Sequence, residues 1–154
     1  MAESVEARLR AAGIVLPLPP SAQANYVPTV TTGGLMFVSG QVSIAQDGAR
    51  IVGKVGRGLS IDEARDGARV CAINILANLN AALGGFDRLV RIVKLVGFVN
   101  CTVDFTEPHR VVNGASDLLV DVLGERGRHA RSAVGVAALP LGAAVEVEAI
   151  VEIR

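Results

Sequence analysis

From Val145 to Ile153 the odd-numbered residues are all apolar (Val145, Val147, Ala149, Val151, Ile153), and Glu146, Glu148 and Glu152 stand between them. A repeat of two is the signature of a half-buried β-strand. Such a strand needs a sheet with one face on a core and the other turned away from it. The rest of the chain must supply the layer that covers the apolar face.

Two segments qualify as that layer. Ser60-Ile61-Asp62-Glu63 is an S-x-x-E capping box, which predicts a helix from about Ile61. Its apolar positions Ala64, Ala68, Cys71, Ile75, Leu79 and Ala82 recur at three- and four-residue spacing, and Gly84-Gly85 ends it. Pro108 suits a first helical turn, with Thr106 as its cap, so a second long helix is predicted to run to about Gly124. Strands are predicted over Tyr26–Thr32 and Leu35–Val42, joined at Gly33-Gly34, and over Asp87–Cys101, Ser132–Leu139 and Ala143–Ile153. The Asp87–Cys101 strand, rich in Val, Leu and Ile, is expected to be buried on both faces. Residues 43–60, with Asp47-Gly48, Gly53, Gly56 and Gly58, are expected to form a long hairpin excursion. The order ββαβαββ, with two helices on one face of a mixed sheet, is an α+β fold. A short helix over residues 4–12 precedes it, with Ser4 as cap and Gly13 as stop, followed by an extended connection through Pro17, Pro19 and Pro20. The expected division is residues 1–24 for this helix and connection, and 25–154 for the main domain.

Composition adds one constraint. Of 154 residues, 51% are apolar and 19% charged, with aromatics only 3%. The charged share is below the usual ~25%. One small core cannot hold so much aliphatic surface, so a homo-oligomer is expected. Fifteen basic and fifteen acidic side chains cancel. That balance lacks the electrostatic footprint of a nucleic-acid binder. Cys71 and Cys101 form no CxxC pair, so neither a disulfide framework nor a zinc site is expected. Arg91 and Lys94 interrupt the longest apolar run, and MAESVEARLR has no apolar signal-peptide core. No membrane association is expected, and the cytoplasm is the expected compartment.

Several residues are candidates for chemistry. Arg131 enters a strand from the loop Gly127-Arg128-His129-Ala130, and a guanidinium fork matches a carboxylate bidentately. The competing role is a salt bridge to a carboxylate or a helix terminus. Glu146 faces away from the core; against another subunit its pKa would rise, fitting it to act as a base on water. Otherwise it is a solvated glutamate like Glu148 and Glu152. Ser39-Gly40-Gln41 ends a strand, where a small residue and a glycine allow close backbone approach to a ligand, or a β-bulge. His109 and His129 have no nucleophile in sequence reach, and His129 is expected to be a surface or hydrogen-bonded histidine. No P-loop or dinucleotide fingerprint is present.

Phe37-Val38-Ser39-Gly40-Gln41, Phe98-Val99-Asn100, Asn113, Ala130-Arg131-Ser132-Ala133-Val134, Leu139-Pro140-Leu141-Gly142 and Val145-Glu146-Val147-Glu148-Ala149 together resemble the Rid family, also called YjgF. These are the reactive-intermediate (enamine/imine) deaminases, formerly L-PSP endoribonucleases. The resemblance covers residues 25 to 153, and the opening helix marks a longer subgroup. It implies a chorismate-mutase-like fold and a homotrimer with a central β-barrel and three inter-subunit clefts. It implies hydrolysis of 2-imino acids to 2-keto acids and ammonia, with no cofactor and no metal. By position, Arg131 would grip the substrate carboxylate and Glu146 would position or activate water. Gly40 would offer backbone to the bound acid, and Tyr26, Ser39 and Asn113 would line the pocket. Ala133 stands where the family often has cysteine; it would keep the backbone hydrogen bonds and lose any thiol chemistry. The alternatives are a non-catalytic trimer that binds small carboxylic acids in a regulatory or chaperone-like role, and, less favoured, an endoribonuclease.

Overall fold

The computed structural model describes residues 3–19 and 24–154, so Pro20 of the proline connection lies outside the described residues. The elements run α1 (Val5–Ala11), β1 (Thr29–Thr32), β2 (Leu35–Val42), β3 (Lys54–Val55), β4 (Gly58–Leu59), α2 (Ile61–Leu83), β5 (Leu89–Asn100), α3 (Pro108–Leu123), β6 (Ala130–Val136) and β7 (Val145–Ile153). Short 3₁₀ turns at Gly124–Gly127 and Pro140–Gly142 lead into the last two strands.

Local chemistry fixes both ends of α2. Ser60 Oγ accepts from the Glu63 N–H at 3.2 Å, and a Glu63 carboxylate oxygen accepts from the Ser60 N–H at 2.8 Å. At the far end Gly84 closes the helix in the left-handed conformation, φ 70°, which costs glycine no Cβ clash. The start of α3 differs from expectation. Thr106 does not cap it; Glu107 holds the cap position with no side-chain bond. Pro108 at the first helical position has no N–H to satisfy, which lessens the need for a cap.

The sheet order is β1-β2-β7-β5-β6. β5 and β6 are parallel and joined through α3; the other pairs are antiparallel. The excursion over residues 43–60 contains the small parallel ribbon of β3 and β4. α2 and α3 cover one face. α3 settles closely on β5 because Gly97 has no Cβ to meet the Val112 side chain. The core contains Ile75, Leu76, Leu79, Ile92, Leu95, Leu118, Leu119 and the odd-numbered residues of β7, and Val5 and Leu9 of α1 join it.

β5 is not buried on both faces. Leu89, Ile92, Leu95 and Val99 are buried toward the helices, whereas Arg91 and Val93 are exposed. Only one helical layer exists, so the second face of the sheet is uncovered in the single chain. Val30, Leu35, Phe37 and Val134 are exposed hydrophobics there, with Phe37 at 42%. Register places Glu146, Glu148 and Ile150 on that same face. Among the described residues no helix is long and apolar enough to cross a membrane.

Candidate functional site

Arg131 sits one residue into β6, the sheet edge, in register with buried Leu95 of β5. Its side chain therefore points to the helix side and meets α3. One terminal nitrogen, Nη1, donates to Asn113 Oδ1 at 2.9 Å and to Ser116 Oγ at 3.0 Å; Nη2 donates to the His109 carbonyl at 3.3 Å. A guanidinium has five N–H donors. Three are engaged, so Nε–H and one Nη2–H remain among the described residues, enough for one bidentate carboxylate. No carboxylate pairs with Arg131 there either. The salt-bridge role is thus absent among the described residues, and a half-buried cation with two free donors is left at an open strand edge.

Ser116 is in turn bonded to His129 Nε2 at 2.9 Å, and His129 Nδ1 meets the Gly127 carbonyl at 2.5 Å. The turn reaches this position because a Cβ on Gly127 would strike the Leu119 carbonyl of α3. Burial chiefly, and the charge of Arg131, hold the His129 imidazole below its ordinary pKa, against the opposing effect of the Gly127 hydrogen bond. Sequence reasoning missed Ser116. Its one available signal was its place three residues after Asn113, on the same face of α3.

Glu146 forms a second group elsewhere. It pairs with Val42 of β2 and Phe98 of β5. The β2–β7 register shifts between Val38 and Gln41, so the bulge reading of Ser39-Gly40 holds. Gly40 lets the Glu146 carboxylate lie against the β2 backbone: a Cβ at this position would meet Glu146 Oε1 and force that side chain to move. Ser39 Oγ donates to the Val27 carbonyl at 2.8 Å, which ties the segment carrying exposed Tyr26 to the same corner. Burial, and next the nearby Glu148, raise the Glu146 carboxyl above its ordinary pKa. Cys71, from the opposite side, offers no nucleophile, because burial pushes its thiol far up.

The candidate residues therefore divide in two. Arg131, Asn113 and Ala133 lie on the helix side of the β6 edge; Tyr26, Ser39, Gly40 and Glu146 lie around the β2 bulge. Arg131 is level with Leu95 and Glu146 with Phe98, an odd step of three rungs, so their side chains leave opposite faces of the sheet. Two strand spacings and three rungs separate their Cα atoms by about 14 Å. The two are not brought together within one chain.

A cleft of 680 Å³ contains neither group. It opens beyond the carboxyl ends of β5 and β6, lined by Lys54, Arg57, Thr102, Asp104, Phe105 and Val136 among others. We place the candidate site at Arg131 despite this cleft, because its half-buried guanidinium is fixed by three hydrogen bonds and keeps two donors free, whereas Arg57 of the cleft is exposed and unfixed among the described residues. No cluster of three His, Cys, Asp or Glu side chains that could hold a metal occurs among the described residues.

Residues 6–153 match the family described as "YjgF/chorismate mutase-like, putative endoribonuclease". Protein TCP17 of Trypanosoma cruzi is 48% identical over 151 residues, covering 97% of this chain and 94% of that protein. The crystal structure of protein Atu1372 from Agrobacterium tumefaciens, of unknown function, superimposes with a TM-score of 0.91 at 47% identity, over 97% of this chain and 92% of that one. The structure of E. coli TdcF with bound serine gives a TM-score of 0.62 at 26% identity, over 88% and 93%.

Proposed function

Because the chain belongs to the YjgF/chorismate-mutase-like family, we propose that it hydrolyses 2-imino acids to 2-keto acids and ammonia in clefts between the subunits of a homotrimer. The observation that carries this reading is the half-buried guanidinium of Arg131, free of any carboxylate among the described residues and with two donors left over. Those donors suit the carboxylate that every 2-imino acid bears. TdcF, a structural relative with bound serine, is a protein of this fold that holds a small amino acid.

Held by Arg131, the substrate presents its imine carbon in a fixed place. Glu146, its carboxyl pKa raised by burial, accepts a proton from water as that water adds to the C=N carbon. The resulting carbinolamine collapses to the keto acid and ammonia, with a proton delivered to the leaving nitrogen. A protonated imine is already a good electrophile, so the chemistry requires neither metal nor organic cofactor. Backbone near Gly40 and Ala133 satisfies the acid oxygens and the imine nitrogen.

The division of the site across the sheet supports the trimer. Arg131 of one copy and Glu146 of another can share a cleft if the β6 edge of one subunit docks beside the β2 bulge of the next. Burial of Val30, Leu35, Phe37 and Val134 against neighbours favours such packing. A non-catalytic acid binder is the second reading, favoured by the separation of Glu146 from Arg131 within one chain. We expect the protein to work in the cytoplasm.

The test supplies freshly generated 2-iminopropanoate and 2-iminobutanoate and follows keto-acid and ammonia release. Wild type should accelerate both, and folded Arg131→Ala and Glu146→Gln should not. Co-refolding these two inactive variants should restore part of the activity, since mixed trimers contain clefts with both residues intact. No acceleration by wild type, with saturable acid binding retained, leaves the acid-binder reading in place of the deaminase.

A further inference from the structure

We infer that His129 and Ser116 are positioning residues for Arg131, a chain of hydrogen bonds that fixes the guanidinium where it takes the substrate carboxylate. The inference rests on the reading of Arg131 as the carboxylate-binding group and adds the device that aims it.

Proton directions along this chain follow from its fixed end. The Gly127 carbonyl can only accept, so His129 Nδ1 carries a proton and donates to it at 2.5 Å. In the neutral ring Nε2 is then bare and accepts from the Ser116 hydroxyl at 2.9 Å. With its hydrogen turned to His129, Ser116 directs its lone pairs at Arg131 Nη1, 3.0 Å away. Asn113 Oδ1 accepts from the same nitrogen at 2.9 Å, and the His109 carbonyl accepts from Nη2. Each engaged donor thus meets an acceptor oriented for it, and the guanidinium plane is fixed. A long arginine side chain otherwise loses rotamer entropy when a ligand holds it, and prior fixation removes that cost from binding.

The surrounding charges leave the chain undisturbed. On α3, Asp117 is paired with Arg65; on the turn, Glu125 is paired with Arg128. Arg126 donates to the Phe86 and Leu89 carbonyls, and Arg91 to the Arg128 carbonyl. No carboxylate therefore competes with Ser116 for Arg131 among the described residues. Two segments, Asn113–Ser116 of α3 and Gly127–His129 of the turn, are coordinated on the Arg131 side chain, and two of its donors remain free among the described residues.

The test measures calorimetric affinity for 2-oxobutanoate, a stable product of the proposed reaction, so it does not depend on turnover. Ser116→Ala and His129→Ala should each weaken binding about tenfold, the loss expected for one charge-assisted hydrogen bond. The double variant should be no weaker than either single one, because both interrupt a single path. Ser116→Thr, which keeps the hydroxyl, should restore affinity. With the imine substrates KM should rise while kcat holds. Should His129→Ala fail to fold, Ser116→Ala and its threonine rescue decide alone. Wild-type affinity in Ser116→Ala, with binding lost in Arg131→Ala, overturns the positioning role and leaves the site where it is. Full affinity in Arg131→Ala overturns the reading of the site itself.

Discussion

Lys54 and Arg131 are both half-buried cations near β5 and β6, and neither meets a carboxylate among the described residues. Their uses differ. Lys54 Nζ donates to Asn100 Oδ1 at 2.6 Å, to the Ala137 carbonyl at 2.5 Å and to the Cys101 carbonyl at 3.4 Å. An ammonium has three N–H donors, so none remains. Lys54 is a staple: it ties the glycine-rich excursion to the carboxyl ends of two parallel strands. Arg131 has five donors and engages three. The role of a buried cation here follows from the donors left over rather than from its charge or from the size of the neighbouring cleft. Cleft volume favours the Lys54 region; a guanidinium fixed by three hydrogen bonds with two donors left over favours Arg131.

The strongest way to break this comparison is to remove each cation in turn. Arg131→Ala should weaken 2-oxobutanoate binding by about 30- to 5000-fold, the range for losing one partner of a charged hydrogen-bonded pair. Lys54→Met should leave that affinity unchanged in calorimetry. Equal losses would dissolve the distinction between them. The second effect runs the other way. Lys54→Met should cost about 2 kcal/mol of stability, read from urea midpoints, because it leaves the Asn100 amide oxygen and two carbonyls without their donor. Arg131→Ala should cost less, since Asn113 and Ser116 are only half-buried and water can replace the guanidinium.

Much of this was legible in the sequence, and the rest was hidden for identifiable reasons. The alternation of β7, the capping box at Ser60 and the stop at Gly84 are local signals, and the structure reproduces them. Arg131 and Glu146 were legible as candidates from their places, Arg131 where a loop enters a strand and Glu146 on the strand face turned from the core, and from the family resemblance. Their placement on opposite faces was not, because it depends on the registers of β6 and β7 against β5, which no local pattern encodes. Residue type favours Thr106 as the cap, but the path of the preceding loop decides which residue reaches the helix end, and that is Glu107. The expected two-faced burial of β5 read apolar composition as complete burial within one chain. Lys54 carried no signal of its own, and Ser116 only its helical spacing from Asn113; each acquires meaning from partners brought near by the fold.

Arg131→Lys sharpens the comparison at a smaller scale. It keeps the charge and loses the planar fork, turning Arg131 into the kind of cation that Lys54 is. Acid affinity should fall about tenfold, roughly one charge-assisted hydrogen bond. Isothermal titration beside Arg131→Ala reads the difference. If Arg131→Lys binds as wild type does, the field of a point charge is sufficient and leftover donors are not the relevant quantity.

The smallest expected effect is a pH dependence confined to the Arg131 region. In the folded chain His129 is held below its ordinary pKa, chiefly by burial. As pH falls through about 6.5, the unfolded chain takes up a proton that the folded chain still refuses, so stability drops. Glu146 acts in the opposite sense. Its raised pKa lets the folded chain keep a proton that the unfolded chain has released, so its contribution is present in acid and lost as pH rises through the folded value. The two oppose each other in mildly acidic solution, and the total pH profile of wild type cannot separate them. His129→Gln can. It removes the titrating ring, and the amide oxygen can still accept from Ser116. Between pH 7.5 and 5, wild type should lose more stability than His129→Gln in urea titrations, while Lys54→Met should follow wild type. Parallel profiles for wild type and His129→Gln would mean that the imidazole is not held neutral. The hydrogen-bond directions from Gly127 to Arg131 would then have to be redrawn with a charged ring at their centre.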